Sequence, residues 1–278
     1  MAWQPFFLDG PAGPLFAIYH SPAGEAPVQG DLVFIPPFGE EMNQARRMVG
    51  LQARRFAAIG VGVLLIDLTG TGDSAGDLAE ARWQTWLDDI GAGLAWIEGN
   101  GRRPAGLWGL RLGGLLAMEV AAAERHRVPR VLLWHPVTSG RTMLTQILRL
   151  RVAAAMGHDA PRESTESLRQ ALSEGQLIEV AGYPLTGALT AAIEGVALEG
   201  LAPPPGCRVD WLELVPRAES PATPAARRIA GAWSEAGCEV SLKTVVGEPF
   251  WSVQSWEDIV LVPALWDATL AAWRDGQA

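Results

Sequence analysis

Short apolar runs rich in β-branched residues alternate along this chain with segments of helical periodicity, and that alternation limits the fold more than any other feature. The strand-like runs are 15–19, 32–35, 61–67, 107–109, 131–134, 209–214 and 240–246, and the helical segments between them are 41–59, 83–98, 112–124 and 225–236. A further helix opens at Pro263, a residue suited to the first helical position. Such a succession predicts an α/β fold with a mostly parallel central sheet flanked by helices on both faces. Trp83, Trp86, Leu87, Ile90 and Leu94 line one face of the second helix, whereas 112–124 is apolar on nearly every side and belongs at the molecule's centre. From about 141 to 205 the alternation lapses into helical segments that exit through Pro203-Pro204-Pro205. That stretch reads as a helical cap inserted into a core made of 1–140 and 206–278.

A chain of 278 residues, 49% of them hydrophobic, is long enough to bury a large core without disulfide or metal. Its 31 acidic against 22 scattered basic residues would repel a phosphate backbone, which argues against nucleic acid as a partner. There is no cationic start before an apolar run and no stretch of 18 uncharged apolar residues, so the expectation is a cytoplasmic protein without a membrane span. Cys207 and Cys238 each precede a strand-like run, which would set them side by side at the starts of neighbouring parallel strands. A reducing compartment favours free buried thiols there, although the spacing alone leaves bonding open. The twelve tryptophans fall mostly on apolar stripes and read as core.

In open parallel sheets ligands bind beyond the carboxyl ends of the strands, so the loops at 36–41, 67–76, 109–114, 218–221 and 247–251 are the ones to weigh. Strand, Gly109-Leu110-Arg111-Leu112-Gly113-Gly114, then a buried helix has the shape of a nucleophile elbow, with Arg111 at its apex. With the strand order, the cap and the Pro36-Pro37-Phe38-Gly39 loop in the oxyanion position, nearly the whole chain resembles the α/β-hydrolase superfamily. Within it, the chain is similar to the exosortase A system-associated hydrolases of the second type. The motifs are Pro36-Pro37-Phe38-Gly39-Glu40-Glu41-Met42-Asn43, Trp108-Gly109-Leu110-Arg111-Leu112-Gly113, Val180-Ala181-Gly182-Tyr183-Pro184-Leu185 and Gly247-Glu248-Pro249-Phe250-Trp251. The resemblance implies a bacterial protein encoded among genes for exopolysaccharide synthesis and protein sorting, and it implies no particular substrate.

The superfamily orders its triad as nucleophile, acid, then a histidine after the last strand. The four histidines here are His20, His126, His135 and His158, and none lies beyond the cap. The histidine's loop offers Glu248 to Trp251 instead, and the acid's loop offers Glu219 beside Ser220. Arg111 cannot attack a carbonyl, because a guanidinium stays protonated and has no usable lone pair. Gly72-Asp73-Ser74-Ala75-Gly76 matches the G-x-S-x-G pattern, but Ser74 stands six residues past Leu68 at its strand's end and lacks the strand-to-helix turn. Gly70, Gly72 and Gly76 miss the dinucleotide spacing by one residue, so no nicotinamide or other cofactor is implied. The cysteines and histidines lack metal-ligand spacing.

Two roles stay open for Arg111 at the head of a buried helix: a fork for a carboxylate or phosphate, or a salt bridge to acids converging from Glu40, Glu41, Glu219 and Glu248. Apolar cap residues Leu144, Ile147, Leu148, Leu150 and Val152, then Tyr183, Leu185, Leu189 and Ile193, would roof a cleft suited to an acyl chain. The expected ligand-contacting residues are Phe38, Gly39, Glu40, Glu41, Arg111, Leu112 and Trp251, and the candidates for catalysis are Glu219, Glu248 and His135. Three functions compete on these grounds. They are a degenerate hydrolase binding an anionic or acyl-bearing molecule, an ester or thioester hydrolase or acyl transferase with a non-standard apparatus, and a scaffold for a partner protein.

Overall fold

The computed structural model describes residues 3–23, 25–123, 128–155, 163–252 and 260–276, so His126 and His158 lie outside the described residues. An eight-stranded sheet forms the centre. In chain order its strands are β1 (Trp3–Gly10), β2 (Gly13–His20), β3 (Gly30–Ile35), β4 (Val61–Ile66), β5 (Pro104–Leu110), β6 (Arg130–Trp134), β9 (Arg208–Val215) and β10 (Glu239–Val246). They lie side by side in the order β1-β2-β4-β3-β5-β6-β9-β10. All neighbours from β4 to β10 are parallel, and the β1–β2 and β2–β4 pairs are antiparallel.

The helices α1 (Glu40–Ala58) and α8 (Pro263–Asp275) cover one face, and α2 (Trp83–Gly99), α3 (Leu112–Ala123) and α7 (Pro224–Glu235) cover the other. The alternating side chains of each strand therefore feed two cores. Leu107, Leu133 and Trp211 enter the α3 side, while Trp108, Trp134 and Leu212 enter the α1 side. On the α1 side the ring centroids of Trp108 lie 4.6 Å from those of both Phe34 and Trp134, a run of edge-on aromatic contacts that accounts for several of the tryptophans. Apolar but for Glu119, α3 is buried along most of its length, as its sequence requires.

β1 is an element the alternation does not reveal. It is an edge strand with Trp3, Pro5 and Phe7 turned outward, and a proline is tolerated there because no neighbour needs its N–H. Between β6 and β9 the chain leaves the sheet for α4 (Gly140–Ala155), α5 (Thr165–Ser173), β7 (Ile178–Val180), β8 (Tyr183–Leu185), α6 (Gly187–Gly195) and a 3-10 turn at Leu198–Gly200. The β7–β8 hairpin is too short for period-2 patterning to show. Its two-residue turn puts Ala181 at φ 49° and Gly182 at φ 85°, the left-handed pair that suits a tight hairpin. An isolated bridge between Ser139 and Ala197 ties together the two points at which the cap segment leaves and rejoins the core.

Candidate functional site

The turn from β5 into α3 is the most constrained point of the molecule. A Cβ on Gly113 would lie 2.2 Å from the Ile35 carbonyl oxygen, and one on Gly109 would lie 2.4 Å from that of Gly113, so only glycines let the helix start this close to the sheet. At the apex Arg111 takes φ 54°, a strained conformation for a residue that carries a Cβ. Backbone bonds hold it there, since its N–H donates to Trp134 O at 3.2 Å and its carbonyl accepts from Val137 at 3.1 Å and Gly114 at 3.0 Å. The elbow geometry is intact, and it presents an arginine.

The Arg111 side chain is largely enclosed. Its Nε donates to Glu41 Oε1 at 3.2 Å, and its guanidinium sits 5.1 Å from the centroid of Trp251. Only 13% of the side chain is exposed. Burial pushes the Glu41 carboxyl up, opposed by the Arg111 charge and hydrogen bond, and its Oε2 is buried without a partner among the described residues. Glu41 belongs to the first turn of α1, which Gly39 opens at φ 61°. Its neighbour Glu40 turns the other way and accepts from Asn43 at 3.0 Å, Gln44 at 2.9 Å and Tyr183 Oη at 3.0 Å. Against the upward pull of burial, these bonds hold the Glu40 carboxyl below its usual range.

The expected convergence of four acids on Arg111 is therefore corrected to one. Glu219 and Glu248 are exposed, and neither pairs with Arg111. A carboxylate on a loop tip keeps its hydration, and burying two more beside a single guanidinium would leave charge uncompensated. His135 does reach the site from the end of β6, at φ 40°, with its ring 4.9 Å from that of Trp251. Its Nδ1 accepts the Leu214 N–H at 3.0 Å, which assigns the hydrogen to Nε2 and leaves no open lone pair for a general base. Burial, with the Arg111 charge, pushes its pKa down to about 4.

Over this floor lies a cleft of about 270 Å³. Phe38, Gly39, Glu40, Glu41 and Trp251 line it from the core, and Met143, Ile147, Leu150, Val180, Tyr183 and Leu185 from the cap segment. Arg111 and Leu112 do not line it: the Arg111 guanidinium lies against Glu41 and Trp251, and the buried Leu112 faces Phe38 and Trp86 in a small separate pocket. Sequence reasoning missed Ser252, which also lines the cleft, and Glu213, which is buried at 4% exposure and accepts the Thr223 N–H at 3.1 Å. A glutamate inside a strand was the available signal for the latter.

The two serines nearest the expected catalytic loops, Ser74 and Ser139, are occupied structurally. Ser74 Oγ donates to Asp67 O at 2.6 Å and accepts the Phe16 N–H at 2.8 Å, pinning the glycine-rich loop to β2. Ser139 Oγ accepts the Thr142 N–H at the head of α4. Among the described residues no group of three potential ligands could hold a metal ion, and no helix is long and apolar enough to cross a membrane.

The sequence model of the serine aminopeptidases, S33, matches residues 27–176, more than half of the chain. The chain belongs to this family. No curated protein matches it in sequence. Among solved structures the S33 chain is similar to Est1E from Butyrivibrio proteoclasticus, captured with ferulic acid, at 16% identity and TM-score 0.68, covering 97% of this chain and 98% of that one. It is also similar to mouse alpha/beta hydrolase domain-containing protein 10, at 17% identity and TM-score 0.59 over 99% and 100% of the two chains. A third, XC6422 from Xanthomonas campestris, is described as an α/β serine hydrolase without lid and matches at 16% identity and TM-score 0.58 over 99% and 95%. These likenesses establish the α/β-hydrolase fold for the S33 chain.

Proposed function

We propose that this S33-family chain is a catalytically degenerate α/β hydrolase that binds an acyl-bearing molecule in the cleft without turning it over. The observation that carries the reading is the elbow itself: a strained, fully formed turn presents Arg111, already neutralised by Glu41, beneath an apolar cleft. Three further features support it. The loop from Gly247 onward contains no histidine, His135 has its Nδ1 engaged, and Glu219 and Glu248 stand in solvent. No protonated guanidinium can open an ester, so acyl transfer through this position has no nucleophile. With Arg111 locked away from the opening, the hydrocarbon part of the ligand supplies the affinity and no anion is required. The motif resemblance to exosortase A system-associated hydrolases supports a cytoplasmic role beside exopolysaccharide synthesis.

Thermal melting with a panel of acyl esters and thioesters tests this directly. Long-chain members should raise the melting temperature by mass action while releasing no alcohol or thiol. Leu150→Asp, at a residue already 60% exposed on the cleft wall, should abolish the shift while leaving the unliganded melting temperature close to wild type. Multiple turnover of any panel member, or no shift across the panel, would overturn the proposal.

A further inference from the structure

A second cavity, of about 240 Å³, opens on the α1 side of the sheet, where the outer face of β1, β2 and β4 extends beyond the helix. Its floor is apolar, made by Phe16, Ile18 and Leu65 from the strands and by Met42 and Val49 from α1, with the half-exposed Trp3 at one side. These strand residues alternate with Leu15, Ala17 and Tyr19, which are buried on the opposite face, so the groove is a hydrophobic sheet surface that no element among the described residues covers.

Its charge is as informative as its shape. Of the two arginines that line it, Arg46 is paired with Asp67 at 3.0 Å, whereas Arg54 is exposed and makes no ion pair among the described residues. His20, also in the lining, adds no positive charge near neutrality, because burial and the nearby Arg54 push its pKa down to about 4. Among the described residues the groove thus carries one unpaired positive charge, on a chain whose net charge is −9. An apolar trough with a single free guanidinium at its rim is complementary to a hydrocarbon chain ending in an anion.

We propose that this groove is a second binding site, separate from the cleft, for a single-chain anionic amphiphile whose chain lies on Phe16, Ile18 and Leu65 and whose head meets Arg54. A neutral or cationic head would forgo the one charge the groove offers.

Titration calorimetry with decanoate, kept below micelle-forming concentration, tests the site. It is best done in the Leu150→Asp background, which puts a carboxylate on the cleft wall against an anionic chain, so the outcome does not depend on what the cleft binds. Decanoate should bind more tightly than octanoate, by up to about fourfold per methylene for full burial, and decyltrimethylammonium should not bind. Arg54→Glu, at an exposed position, should weaken decanoate by about fivefold or more, while the charge-matched Arg274→Glu at the end of α8 should leave it unchanged. Equal affinity in Arg54→Glu, equal loss in Arg274→Glu, or comparable binding of the ammonium would each overturn the proposal.

Discussion

The behaviour of the site turns on the partner of one arginine. Removing Arg111 leaves the part-buried Glu41, with its Oε2 enclosed, without a cation, so Arg111→Ala should lower stability to chemical denaturation by up to about 3 kcal/mol, the scale for breaking an enclosed pair. A variant as stable as wild type would mean that Arg111 is held for binding and not for structure. Arg111→Ser should not create an esterase, because no general base stands at the elbow among the described residues and its proton transfer is worth about 10²–10⁴-fold. His135 makes a pH prediction. Its folded pKa is about 4 against an ordinary 6.5, so between these values the unfolded chain binds more protons and stability falls as the pH drops. His20 acts in the same direction, whereas Asp89, pushed up to about 6 by burial, acts in the opposite one. His135→Asn keeps an acceptor for the Leu214 N–H and suits the left-handed backbone, so it should lose less stability than wild type between pH 6.5 and 4. Denaturation curves with the same pH slope for both would contradict the assignment.

At the scale of elements, the cap segment is latched to α1 by Tyr183. Its Oη lies 3.0 Å from both Glu40 and Asn43, while its ring packs on Gly39, where an added Cβ would come within 3.6 Å. Tyr183→Phe should cost about 1 kcal/mol and raise amide exchange in β7 and β8 ahead of the sheet, and uniform exchange across both regions would argue against a latch. The same elements show what the sequence could disclose. The long periodic helices and the buried parallel strands were legible because the burial of each repeats along many residues, and the elbow was legible because its glycines bracket a strand-to-helix turn. β1 was hidden by its edge position and Pro5, and β7–β8 by having three residues per strand. In the site, Arg111 could be placed from its neighbours in the chain. Its choice of Glu41 over Glu219 or Glu248 could not, since it depends on loop heights above the sheet that no local pattern encodes.

For the molecule as a whole, the sheet order brings Cys207 and Cys238 to the starts of β9 and β10, one step before the Arg208–Glu239 register pair. Both thiols are free and buried, and burial pushes Cys207 up to about 12, with the neighbouring Cys238 contributing. Neither should react with a thiol reagent until the core unfolds, and prompt modification of the native protein would show that this end of the sheet opens locally. The central claim concerns the opposite end, where a complete hydrolase scaffold surrounds an elbow that cannot attack. Intact-mass analysis after treatment with a fluorophosphonate tests it most directly, because the reagent reports any serine activated by a neighbouring base. The account predicts an unchanged mass at reagent excess. A stoichiometric adduct at Ser252, Ser139 or Ser74 would contradict it and identify a nucleophile outside the elbow.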